Sequence, residues 1–209
     1  MPHERYIKPV TDNYDKKKTY QENFKKCELA IKNEFYFEAM LIIYAVIEDR
    51  LRSWIYYIGG LKTKSSYKLD FDKWKKEIKP LFKKSNSDKF RFPNINNISG
   101  KQQIIEATLN WAKKDYPDSN KSKYLTALKK CYQDKLDHVE ISEQLVVLEK
   151  WCAYRNEIIH ALMNKNLDSL KSELAEKVSQ GLELARYFDK IVKRIKSAKR
   201  MRKILGLQE

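Results

Sequence analysis

The sequence predicts an all-α protein, an up-and-down four-helix bundle carrying a helical insertion. Three observations predict it. Only five prolines and five glycines occur in 209 residues, and proline is absent after Pro117. Lys, Glu, Leu, Ala and Ile dominate at helical spacing. Four long helical patterns fall into two pairs with short connections, which favours antiparallel packing within each pair. The length suits one domain, 1–209, with its core at about 15–60 and about 142–198, a helical insertion at about 61–141 and a basic C-terminal tail at about 190–205.

Tyr20, Phe24, Cys27 and Ile31 share one stripe, so an amphipathic helix is expected over about 15–33. Asn33 and Glu34 supply a turn, and a second helix starts near Phe35 and stops at Gly59-Gly60. It is apolar on nearly all sides, which belongs in the middle of a bundle. Within it, Glu48 interrupts the row Tyr44, Glu48, Leu51 and Ile55. A buried carboxylate requires a partner, and Arg52 stands four residues on, a favourable acid-before-base spacing.

Residues 61–141 carry three prolines (Pro80, Pro93, Pro117) and weaker patterns: Phe71, Trp74, Ile78 and Leu81, then Ile104, Ile105, Leu109 and Ala112, then Tyr124, Leu128 and Cys131. Ser99-Gly100-Lys101-Gln102 reads as a capping box that starts the second of these. The region is expected to pack on the main bundle, since its own core would be thin. A further helix is expected over about 142–164, with Ser142 as N-cap, Ile141 and Val146 placed as a hydrophobic staple and Glu143 suiting the helix dipole. After the turn NKNLD, Leu170, Leu174, Val178, Gly181, Ala185, Phe188, Val192 and Ile195 keep a heptad-like seam.

Composition narrows the function. Cys27, Cys131 and Cys152 are odd in number and lack C-x-x-C spacing, which indicates neither a disulfide framework nor a zinc site and fits a reducing cytoplasm. The N-terminus has no apolar signal segment, and no run approaches the ~18 apolar residues of a membrane span. Against 28 Asp and Glu stand 43 Lys and Arg, a net charge of +15. That balance draws polyanions, whether RNA, DNA or an acidic partner protein, although Lys-rich solvated helices produce a similar count. No phosphate-binding Gly-rich loop, H-E-x-x-H or G-x-S-x-G occurs, and no metal or organic cofactor is called for.

The segment YRNEIIHALM, 154–163, is the part that carries chemistry. The expected core seam of its helix is Leu145, Leu148, Cys152, Arg155, Ile159 and Leu162. Arg155 thus falls on a seam position, where an unpaired cation is costly. It must meet a carboxylate, a symmetry partner or a bound anion. Asn156 and His160 are four apart and share a face beside it. Arg155 and His160 are about 140° apart around the helix, so their convergence needs a bent Arg or a second copy of the helix. His3 and His138 have no comparable setting.

Arg155-Asn156-Glu157-Ile158-Ile159-His160 resembles the R-x4-6-H motif of the HEPN (higher eukaryotes and prokaryotes nucleotide-binding) superfamily, in which Arg is typically followed by Asn, Asp or His. The resemblance covers the helical pairs that flank 61–141. It implies an up-and-down bundle and, for many members, a metal-independent endoribonuclease of toxin or phage-defence type. Such members work as homodimers whose motifs meet, and a toxin implies an antitoxin protein; other members keep the fold and only bind RNA or nucleotides. By this resemblance His160 is the general acid/base, Arg155 stabilises the phosphorane, Asn156 orients His160 or the phosphate, and Glu48 matches a supporting acid on the second helix. The C-terminal Lys193, Arg194, Lys196, Lys199, Arg200, Arg202 and Lys203 read either as an RNA-backbone contact or as a solvated helix end.

Overall fold

The computed structural model describes residues 13–57, 93–113, 129–130, 132–161 and 171–197, leaving aside the side chains of 13–15, 161, 196 and 197. The patterns expected around Phe71 to Leu81 and Tyr124 to Cys131, the Gly59-Gly60 stop, Leu162, the NKNLD turn and Leu170 lie outside those residues. Among the described residues every regular element is a helix, so the chain is all-α. The helices are α1 (Asn13–Lys32), α2 (Tyr36–Tyr57), α3 (Ile98–Lys113), α4 (His138–Ala161) and α5 (Lys171–Ser197), with a short helical stretch at 132–135. None is long and apolar enough to cross a membrane.

The turn between α1 and α2 is a Schellman cap. Phe35 N–H donates to the Ala30 carbonyl at 2.8 Å and Glu34 N–H to the Ile31 carbonyl at 3.0 Å, satisfying carbonyls that the helix end leaves open. Glu34 sits at the left-handed position, φ 60°. The chain therefore folds back at once. Lys16 reaches Ser53 at 3.2 Å, Tyr20 bonds Asp49, and the Cys27 thiol lies 3.9 Å from the Ala39 carbonyl, so α1 and α2 run antiparallel.

α2 packs against α1, α3 and α5, and α5 packs also against α4 and α1. The buried residues of α2 include Ala39, Met40, Ile43, Ile47, Leu51, Trp54 and Ile55, yet Leu41 and Ala45 face solvent. The helix is thus central on three sides rather than all round. At α5 every described member of the expected seam, from Leu174 to Ile195, is buried. α5 runs antiparallel to α4: Trp151 Nε1 donates to the Lys177 carbonyl at 2.8 Å, while Tyr187, further along α5, lies near Glu140 and Asp137 at the start of α4.

Helix α3 is buried on most of its surface, with Ile104, Ile105 and Ala112 fully so, and it lies across α2 and α4. This part of 61–141 shares one core with the other helices. Its start differs from the capping box read at Ser99: the helix begins at Ile98, and Asn97 Oδ1 accepts the Gly100 N–H at 2.7 Å. A Cβ at residue 100 would stand 1.9 Å from the Asn94 carbonyl oxygen, so only glycine admits this approach of backbone to backbone.

The start of α4 also departs from expectation. Asp137, not Ser142, caps it: its Oδ1 accepts N–H bonds from Val139 and Glu140, both at 3.0 Å. Leu136 and Ile141, both buried, occupy the staple positions assigned to Ile141 and Val146. Ser142 instead donates back to the His138 carbonyl at 2.8 Å, as a serine inside a helix does. His138 is tied down as well, Nε2 to the Tyr132 carbonyl at 2.9 Å.

Candidate functional site

On α4 the buried row is Ile141, Leu145, Leu148, Trp151 and Ile158. The expected seam through Cys152, Arg155 and Ile159 is displaced by one residue, and those three are half-buried. Trp151 causes the displacement. Its indole lies flat where residue 181 of α5 has no side chain, because a Cβ there would be 2.6 Å from the ring. Seating the largest apolar group there turns the helix so that its neighbour, Cys152, and Arg155 one turn on sit at the border of the core.

Arg155 stacks its guanidinium over the Tyr44 ring, 4.3 Å from the centroid, and Nη1 donates to Asn156 Oδ1 at 3.0 Å. Its Nε is buried without a hydrogen-bond partner. No carboxylate among the described residues pairs with it. Asn156 and His160 are exposed, His160 in the last turn of α4. The structure thus joins Arg155 to Asn156, and among the described residues no hydrogen bond joins His160 to either.

Glu48 pairs with Arg52, as the spacing on α2 predicts, and not with Arg155. Its Oε1 accepts from Arg52 Nη2 at 2.9 Å and from Lys101 Nζ at 3.1 Å. Arg52 was legible from spacing; Lys101 of α3 was missed, although it falls on the same stripe as Ile98, Ile105, Thr108 and Ala112. Lys101 has 0 % exposure. Burial lowers its pKa, against the opposing pull of Glu48. Tyr44, one turn before Glu48, has its phenol pushed up by burial, then by Glu48, with Arg155 acting the other way. Along one stripe of α2, Arg155 of α4 therefore covers Tyr44, and one turn on Glu48 is shared by Arg52 and by Lys101 of α3.

A second polar group lies between α1, α2 and α5. Arg50, 6 % exposed, covers the Tyr20 ring and bonds Asp49, Asp189 and the Tyr20 hydroxyl. Here carboxylates answer the buried cation, which makes it a tie between helices. Of the C-terminal basic residues, Lys193 pairs with Asp189 and Arg194 is exposed and engaged; the side chain of Lys196, and Lys199, Arg200, Arg202 and Lys203, lie outside the described residues. Among the described residues no three His, Cys, Asp or Glu gather as metal ligands. Burial pushes the Cys152 thiol up to about 11, so this neighbour of Arg155 is a poor nucleophile.

Fold and site together define a class: an all-helical protein in which one guanidinium, Arg155, meets no acid among the described residues and another, Arg52, shares its acid with a buried lysine. Compared with protein-family models, with curated proteins and with solved structures, the chain finds no match.

Proposed function

We propose that this chain is a HEPN-like up-and-down bundle that acts as a metal-independent endoribonuclease of toxin or phage-defence type, in the cytoplasm, as a homodimer. The observation that carries the reading is Arg155, a half-buried guanidinium with no carboxylate partner among the described residues and an unpaired Nε. A cation held that way lacks a counter-charge, and a phosphate supplies one with matching fork geometry. The net charge of +15 favours the same ligand.

In the reaction, the RNA 2′-oxygen attacks the adjacent phosphorus as His160 takes its proton. The P–O5′ bond then breaks as a proton passes to the leaving oxygen. The products are a 2′,3′-cyclic phosphate and a 5′-hydroxyl, and DNA resists for want of the 2′-OH. Arg155 neutralises the phosphorane. Because Arg155 and His160 diverge on one helix, a second copy of the motif completes the site, and an antitoxin protein would act by covering it.

A second reading, an RNA- or nucleotide-binding module of the same fold without catalysis, has one observation in its favour. Asn156 Oδ1 is taken up by Arg155, which leaves that oxygen unavailable to orient His160. RNA incubated with the full chain in excess EDTA separates the two. Cleavage with cyclic-phosphate ends, reduced about a hundredfold or more in His160→Ala and in Arg155→Ala, is the expected result. Equal cleavage by wild type and His160→Ala would sink the enzyme; binding without cleavage by any form would establish the module.

A further inference from the structure

Arg52 poses a question of charge. Glu48 Oε1 accepts from both Arg52 and Lys101, and one carboxylate cannot neutralise two cations. Lys101 is fully buried, with Glu48 as its hydrogen-bonded anion and Asp49 acting on it more weakly. Arg52 keeps 28 % of its side chain exposed, while its Nε is buried without a partner. Of the two cations that share Glu48, Arg52 is therefore the one whose surplus charge an outside anion can reach. A half-buried surplus cation with an unused donor is costly unless an anion arrives.

Helix α2 places this cation in line with Arg155. Tyr44, Glu48 and Arg52 follow at successive turns of α2, and Arg155 covers Tyr44. Eight residues of helix separate Tyr44 from Arg52, about 12 Å along the axis. We propose that Arg52 holds a second phosphate of the RNA strand, two turns along α2 from the phosphate at Arg155. Lys101 retains Glu48 when the Arg52 guanidinium turns to the phosphate, so the carboxylate is not left unpaired. This side of α2 then reads a length of single strand, gripping it at two phosphates. This inference rests on the proposal that the surface at Arg155 takes RNA.

The test uses the full chain and a short fluorescent oligouridylate with every 2′-oxygen methylated, which the 2′-OH reaction cannot cleave. Affinity is measured across a salt series. Each phosphate neutralised in a single strand contributes about 0.7 to the slope of log K against log salt. Arg52→Gln is expected to reduce the slope by about that amount and to weaken binding several-fold at moderate salt, and Arg52→Lys, which keeps the charge, to restore most of it. An unchanged slope in Arg52→Gln overturns the second phosphate site, as does a failure of the wild type to bind. Cleavage of unmodified RNA in EDTA that depends on His160 would still uphold the enzyme in either case. A lowered slope without any cleavage keeps the site and removes the catalysis.

Discussion

At Glu34 a single residue bears a cost imposed by the turn. It takes φ 60° to let Phe35 and Glu34 close the end of α1, a conformation in which a side chain crowds the following carbonyl. The Lys171 contact at 4.0 Å joins two exposed groups and contributes little in return. Glu34→Gly should therefore stabilise the chain by about 1 kcal/mol, read as a raised urea midpoint with an unchanged m-value. A fall in stability would show that the side chain has a role the cap does not explain. Sequence reading found the turn at Asn33-Glu34 but not its handedness, since glutamate carries no signal for the left-handed region.

Between α4 and α5 the fit depends on one large and one absent side chain. Trp151 lies on Gly181 and donates to the Lys177 carbonyl. Gly181→Ala gains about 1 kcal/mol in helix propensity but forces the indole outward. The expected outcome is a net loss of about 2 kcal/mol with a shift in Trp fluorescence, and a stabilised variant would contradict the packing described. Periodicity placed Gly181 on the α5 seam without a reason for it. The reason is the indole across the interface, and the same contact moved the α4 seam from Cys152 to Trp151. Helix ends were less legible than faces: Asn97 and Asp137 won over Ser99 and Ser142, because any of these side chains can cap and the tertiary path selects which one does.

For the whole molecule, the tie between α2 and α3 is an ion pair with one fully buried member. Glu48→Gln strands Lys101, which should cost about 3 kcal/mol at neutral pH. Burial already holds the Lys101 pKa below 10.5 in the wild type. A lysine lowered in the folded state binds fewer protons there than when unfolded, so stability rises with pH from the lowered pKa up to 10.5. Without Glu48 the lowering deepens, and the loss in Glu48→Gln should shrink in urea melts taken from about pH 7 to about pH 10. A loss independent of pH would mean that Lys101 is neutralised by something else. The variant also separates structure from RNA binding, since it frees Arg52 for phosphate while weakening the fold.

Local chemistry alone determined the helical class, the break at Asn33-Glu34, the α5 seam and the conspicuous Arg155, Asn156 and His160, because each rests on spacing along one segment. Tertiary structure decided where the charges stand. Glu48 had Arg52 in reach from its own helix, but Lys101 came from α3, some fifty positions away, and Arg155 came to rest on Tyr44 of α2. Such encounters follow from how whole helices fill space around Trp151 and Trp54, and the cost of burying a cation is settled only by the neighbours it then meets.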